Sequence, residues 1–297
     1  MIADTDKDQR AAYPSNWHYL ADELERLELL LHLRLLREES EQLPAPSNPF
    51  KGLVLPKEEI EGLLTGASNP HPHHLAEDDA NVQAASAALI ELEPRILERR
   101  AASLKDEINL PLPRLSALFN LSRFEESCLL ICLAPEIDRK YEKIYAYLQD
   151  DVTCKSPGVD LFIRLLGQSM EEKLAARATF ESAGKLLKYR LLQPIDNPSS
   201  FSATLLSRSF KLNERIASFL LGSEQMDAPL DWLARLIPAQ SSQPDLCVAA
   251  DARSRIGQLI SHNLNGSQAV DQNPMFYLFG PYGAGKRSLA KAVCDDL

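Results

Sequence analysis

The sequence lacks the features that would place it in a membrane, outside the cell or on a nucleic-acid backbone. No apolar stretch approaches the about 20 residues needed to cross a bilayer. Met1-Ile2-Ala3-Asp4-Thr5-Asp6-Lys7-Asp8 has no apolar core of the kind a secretory leader requires. The five cysteines, Cys128, Cys132, Cys154, Cys247 and Cys294, are odd in number and irregularly spaced, which argues against a disulfide framework. Cys128 and Cys132 lie one helical turn apart in an apolar run and read as buried thiols. His71, His73 and His74 sit among prolines with no Cys or carboxylate at ligand spacing, so they read as a solvated loop. Lys and Arg number 32 against 42 Asp and Glu, a net charge of −10 that argues against a nucleic-acid coat or a basic membrane binder. There is no internal repeat and no low-complexity tract. The expectation is a cytoplasmic globular chain with no membrane partner, and with nucleic acid an improbable one.

What is present is mostly helical periodicity. From about Ser15 to Gln42, Trp17, Leu20, Leu24, Leu27 and Leu31 recur at spacings of three and four, until Pro44 and Pro46 end the pattern. The stripe fits either a core helix or a coiled-coil arm. Asn48 to Ile60 reads as an extended segment leading into a short helix, and residues 66–74 as a linker. Val82, Ala85, Leu89, Leu92 and Ile96 mark a helix from about Asp78 to Asp106, which Pro94 is expected to kink or restart. Ser122 and Glu125 form a capping-box pattern ahead of a buried helix, Phe124 to Cys132. Further helices are expected from Ile137 to Leu148 and from Val159 to about Met170. Two strand-like runs follow, Leu186–Leu192 and Leu205–Leu212, and then a helix that Gly222 terminates. Helices followed by a two-stranded ribbon describe a winged helix. A Pro/Gln/Ser-rich linker and one more helix, Leu246 to about Leu264, lead to the last block.

That block carries the chemistry. Met275 to Phe279 is apolar and of strand length. Gly280-Pro281-Tyr282-Gly283-Ala284-Gly285-Lys286 follows at once, and Arg287 to Cys294 then shows helical spacing. Strand, glycine loop and helix are the context of a phosphate-binding P-loop. Glycines let the backbone come close with positive φ, N–H groups of the loop and helix start face the phosphates, and Lys286 reaches the β/γ-phosphates. The nucleotide-binding residues are therefore expected to be Gly280 to Lys286 together with Arg287 and Ser288, and the cofactors ATP and Mg2+. One departure stands out. The residue after the lysine, which should offer Mg2+ a hydroxyl, is Arg287. Ser288, the remaining candidate metal ligand, is displaced by about 100° on an ideal helix. A P-loop ATPase also needs a second strand ending in acidic residues. Asp150-Asp151 lies upstream in a non-strand context and reads as a helix C-terminal loop, so the chain as given is not expected to hydrolyse ATP.

Three segments together resemble a bacterial AAA-family ATPase with an N-terminal variant winged-helix domain. They are Asn48-Pro49-Phe50-Lys51-Gly52-Leu53 with Glu58-Glu59-Ile60; Phe124-Glu125-Glu126 through Ala134–Tyr141 and Tyr147–Asp151; and the P-loop through Arg287. The resemblance implies a mainly α chain, with a helical N-terminal region, a winged-helix (α+β) domain and the first strand–P-loop–helix of an α/β P-loop NTPase domain. The expected divisions are residues 1–110, 111–222, a linker at 223–245, and an incomplete ATPase domain at 246–297. It further implies a homo-oligomer, a hexamer when full length, that remodels protein complexes; some relatives accompany contractile injection systems. Two alternatives remain open from the residues alone. One is a DNA-binding winged-helix regulator with a nucleotide switch, and the other is a non-catalytic scaffold with a degenerate P-loop. The helix expected to read DNA, Val159 to Met170, offers only Arg164 as a cation. Lys185, Lys188, Arg190, Arg208, Lys211 and Arg215 cluster near the ribbon.

Overall fold

The computed structural model describes residues 11–41, 80–167, 169–195, 204–223, 254–260 and 277–295. The expected module at Asn48–Ile60, the linker at 66–74, all but Ser223 of the linker at 223–245, and Cys247 lie outside them. The chain divides into two compact units, Met1–Glu224 and Gln225–Leu297.

The first unit is built on a pair of long helices, α1 (Asn16–Glu41) and α2 (Ala80–Lys105). They run antiparallel, since Asp22 pairs with Arg99 at 3.1 Å and Glu25 with Arg95 at 3.4 Å, while Leu33 packs with Val82 and Ala85. Leu20, Leu24, Leu27 and Leu31 are buried as the periodicity predicts, which makes α1 a core helix. Trp17 is not in that stripe; it is 56% exposed. Tyr13 and Tyr19 fill the corresponding end of the core, edge to face at 5.3 Å, with the Arg99 guanidinium 4.1 Å above the Tyr13 ring. Pro94 does not restart α2, which is helical on both sides of it.

α3 (Pro111–Phe119) stops at Asn120, whose left-handed φ of 49° turns the chain. Ser122 and Glu125 then form the expected capping box, with 3.2 Å and 2.7 Å bonds, at the start of α4 (Arg123–Ile137). Every residue of α4 from Glu125 to Ala134 is buried. Burial pushes the Cys128 and Cys132 thiols well up, so both are neutral and inert, as their apolar setting predicts.

Charged groups also enter this core. Glu23, Arg26 and Glu126 are almost fully buried. Arg26 Nε donates to Glu23 at 2.8 Å and Arg26 Nη2 to Ser127 Oγ at 3.0 Å. Arg123 donates to Glu23 and Glu126, each at 3.0 Å, and Arg100 to Glu126 at 2.7 Å. The Tyr19 hydroxyl lies between Glu23 and Glu126, at 3.2 and 3.3 Å. Burial, then the two carboxylates, push the Tyr19 phenol up and keep it a donor. Burial alone would raise the Glu23 carboxyl, but Arg26 and Arg123 outweigh it and hold the group below its ordinary range.

Beyond α4 come α5 (Lys140–Leu148), α6 (Val159–Leu166), α7 (Met170–Thr179), the single turn α8 (Lys185–Lys188), β1 (Leu192–Pro194), a 3-10 turn at Leu205–Ser207, β2 (Phe210–Leu212) and α9 (Glu214–Leu220). β1 and β2 are antiparallel, with Leu192 opposite Leu212, Gln193 opposite Lys211 and Pro194 opposite Phe210. Gly158 bridges to Ser209 and adds a third, one-residue strand on the far side of β2. This order of helices with a terminal hairpin is the expected winged helix.

Three further expectations are corrected. The run Leu205–Leu212 is a strand only from Phe210 to Leu212, because its first residues form the 3-10 turn Leu205–Ser207. The run Leu186–Leu192 is not one strand: its first residues make the helical turn α8, and Arg190, at a left-handed φ of 53°, redirects the chain into β1. Leucine and lysine suit a helical turn, and only residues level with β2 find ladder partners. The helix expected from Val159 to Met170 ends at Leu166, and a separate helix, α7, starts behind the capping box Ser169–Glu172.

Two measurements check the core. Leu24→Asp places an unpaired charge at a site 8% exposed. It should cost about 3 kcal/mol or more, lowering Tm by about 6 °C or more; a shift below about 2 °C would show that α1 is dispensable. Because the Glu23 pKa is depressed on folding, its contribution is complete above about pH 4.3 and disappears as pH falls through the lower folded value. Urea denaturation should therefore show wild type losing more stability than Glu23→Gln on acidification below that pH. Parallel curves would contradict it.

Candidate functional site

Two surfaces are candidates, one in each unit, and each stands by itself. In the second unit, residues 254–260 are helical, and α10 (Lys286–Asp295) begins directly after the glycine-rich loop. Gly280, Gly283 and Gly285 have φ of 152°, 85° and 76°, values that L side chains rarely adopt. A Cβ on Gly283 would meet nothing within 4 Å, so the requirement for glycine there is conformational and not steric. Between the glycines, Ala284 N–H donates to Pro281 O at 3.3 Å, and Leu289 N–H to Gly285 O at 2.8 Å opens the helix ladder. The Lys286 ammonium folds back across the loop and donates to Gly280 O and Pro281 O, both at 2.7 Å. The loop thus encircles its own lysine.

Ala292 and Val293 are the buried side of α10, while Arg287 and Tyr282 are exposed and Ser288 is half-buried. Tyr277 and Phe279 are exposed, with rings 6.4 Å apart and nearly parallel. The expected strand Met275–Phe279 is not formed over its described part: Tyr277–Phe279 join no ladder among the described residues. A parallel strand requires hydrogen-bonding neighbours, and no described strand lies beside these residues.

These residues fit the phosphate chain of a nucleotide. The loop backbone is already in positive φ, a ten-residue helix points its N-terminus at the loop, and the lysine is in place. They do not fit Mg2+ in the usual way. The position that should supply a hydroxyl holds a guanidinium, and Lys286, Arg287 and Lys291 put three cations on α10 with no carboxylate before Asp295. Among the described residues no group of three His, Cys, Asp or Glu could hold a metal.

In the first unit the candidate surface is the winged helix. α6 is mostly buried: Val159, Leu161, Phe162, Ile163 and Leu165 face the core. Its one cation, Arg164, is engaged with Leu148 O at 2.9 Å and Asp160 at 2.7 Å. The exposed helix is α7, where Ala176 is the sole buried residue. It presents Met170 and Leu174, 71% and 64% exposed and one turn apart, beside Glu171, Glu172, Lys173 and Arg177. Sequence reasoning passed over this helix because its apolar stripe is thin; the pattern Ser169-x-x-Glu172 is the signal that marks it.

A polar latch holds the turn before α6. Gln149 Oε1 accepts from Gly158 N–H at 2.8 Å, and its Nε2 donates toward the carbonyls of Tyr145, Cys154 and Ser156 at 3.0 to 3.2 Å. Asp151 accepts from the Thr153 hydroxyl and N–H, which hold its carboxyl below the ordinary range. Asp150-Asp151 is thus a helix-terminal loop, as its context predicts.

Of the six cations near the ribbon, three are committed. Lys185 bonds Asn120 O, Lys188 lies over the Tyr189 ring at 5.4 Å, and Arg215 donates to Ser223 O at 3.2 Å. Arg190, Arg208 and Lys211 are exposed.

The variant winged helix domain family matches residues 1–232, and the chain belongs to that family. No curated protein and no solved structure matches the chain. Among the described residues no helix is long and apolar enough to cross a membrane.

The assignment of α7 as the exposed helix generates a prediction. Met170→Glu and Leu174→Glu alter solvent-facing positions, so each should change stability by no more than about 0.5 kcal/mol in denaturant titration. A loss above about 2 kcal/mol would place α7 in the core.

Proposed function

We propose that this chain is the protein-recruiting and nucleotide-binding front part of an AAA-type ATPase that remodels protein complexes. The observation that carries this reading is the loop Gly280–Lys286, with three glycines at positive φ around an inward-turned lysine at a helix start. ATP is the expected ligand. Gly280, Pro281, Tyr282, Gly283, Ala284, Gly285 and Lys286 would surround its phosphates, and Arg287 and Ser288 would stand at the head of the helix. ATP supplies an energy-rich phosphoanhydride. The chain's own part is to fix the phosphates with backbone N–H groups and to neutralise them with Lys286. The winged helix recruits the client protein through α7, whose exposed face combines Met170 and Leu174 with balanced charge. Assembly as a homo-hexamer and a cytoplasmic setting complete the reading.

Lys286→Ala in the full-length protein removes the one ammonium that reaches the phosphates. Isothermal calorimetry should show ATP affinity falling by about tenfold or more, the loss expected for a charged hydrogen bond. Unchanged affinity would sink the assignment.

A second reading, a DNA-binding regulator with a nucleotide switch, is favoured by Arg190, Arg208 and Lys211 around the wing. Three cations support only weak, salt-sensitive phosphate contact, and α7 carries as many acids as bases. Electrophoretic mobility at low salt should show no sequence-specific retardation of duplex DNA at sub-micromolar protein. Specific retardation would reverse the order of the two readings.

A further inference from the structure

The mismatch between the loop and Mg2+ has a consequence that rests on the nucleotide-binding reading above. ATP bound in a P-loop carries several negative charges, which are ordinarily shared between the lysine, the helix N-terminus and a divalent ion held by the next hydroxyl. Here the next residue is Arg287, exposed on the first turn of α10 beside Lys286. A guanidinium is permanently charged, presents a planar fork of donors and binds phosphate oxygens bidentately. Ser288 is a further 100° round an ideal helix and half-buried. Ser288 thus lies one residue further along the helix, whereas Arg287 directly follows the phosphate-binding lysine.

The local charge points the same way. Lys286, Arg287 and Lys291 are the charged residues of α10 up to Cys294. A divalent cation placed beside a guanidinium would be repelled, with no carboxylate on this helix turn to hold it. We propose that Arg287 replaces the metal: the loop binds the β/γ-phosphates of a nucleoside triphosphate without Mg2+, and Ser288 is not a metal ligand.

The experiment is a titration of the full-length protein with ATP, followed by calorimetry, in excess Mg2+ and again in excess EDTA. Native protein should bind ATP in both buffers with affinities within about threefold of each other. Arg287→Thr restores the usual hydroxyl and removes the guanidinium. In EDTA it should bind about 10- to 100-fold more weakly than native protein, the fold-change of a lost charged hydrogen bond, and Mg2+ should recover the loss. Arg287→Lys should show an intermediate loss in EDTA, because it keeps the charge but not the fork. Far-UV circular dichroism of the variants should match the native spectrum, as the side chain is exposed. A tenfold or larger fall in native affinity on adding EDTA would overturn the inference while leaving nucleotide binding intact. No binding in either buffer would overturn the nucleotide reading itself, and this inference with it.

Discussion

The first unit depends on a buried ionic knot. Glu23, Arg26, Arg100, Arg123 and Glu126 meet around the Tyr19 hydroxyl and tie α1 and α2 to α4. Three guanidiniums face two carboxylates, and Glu93, 3.8 Å from Arg26 at the rim, balances the charge. Such a cluster adds little net stability over apolar packing, since its buried ions, Glu23, Arg26 and Glu126, must be stripped of water. Its effect is to make the arrangement single-valued. Sliding α1 along α2 by one turn would leave a buried charge without its partner, at a cost of about 3–5 kcal/mol. α4 is thereby fixed, and α4 is the wall against which α6 and β2 pack. Cys132 Sγ, 3.9 Å from Phe210 O, marks that contact.

From this wall outward the polarity of each helix follows its place. α6 gives its apolar side chains to the core, with Phe162 and Phe180 stacked at 5.1 Å and Phe180 against Phe210 at 5.5 Å. α7, one turn further out, contributes Ala176 alone and keeps the rest of its surface in water. The fold thus inserts one helix of the pair and displays the other. The displayed helix carries the weaker sequence signal, which is why it was the part hardest to find.

The legibility of the sequence follows the same division. Leu20, Leu24, Leu27 and Leu31 were readable because apolar residues at helical spacing have one low-energy place to go. Ser122 and Glu125 were readable because a capping box satisfies local donors whatever surrounds it. The ionic knot was not readable: glutamate and arginine on a helix normally signal the solvent side, and burial of Glu23 and Arg26 depends on partners about 100 residues away. The ribbon was half readable. Its leucine-rich runs were visible, but strand length is set by pairing, and β1 meets β2 over three residues. Arg190, a non-glycine at positive φ, gave no warning of the turn it makes.

The glycine loop was legible for the opposite reason to the knot. Its backbone conformation is written in residue identity, since Gly280, Gly283 and Gly285 are where positive φ occurs. What it does is tested most directly by hydrogen–deuterium exchange on the full-length protein with and without ATP. Amides from Gly283 to Leu289 should slow by about tenfold or more when the nucleotide binds, because the free N–H groups at the helix start turn from water to phosphate, and those of Ala284 and Leu289, already bonded to Pro281 O and Gly285 O, are held closed by the ordered loop. Those amides should respond more than any others in the second unit. Exchange unchanged from Gly283 to Leu289 at saturating ATP would contradict the account, whatever changes were seen elsewhere.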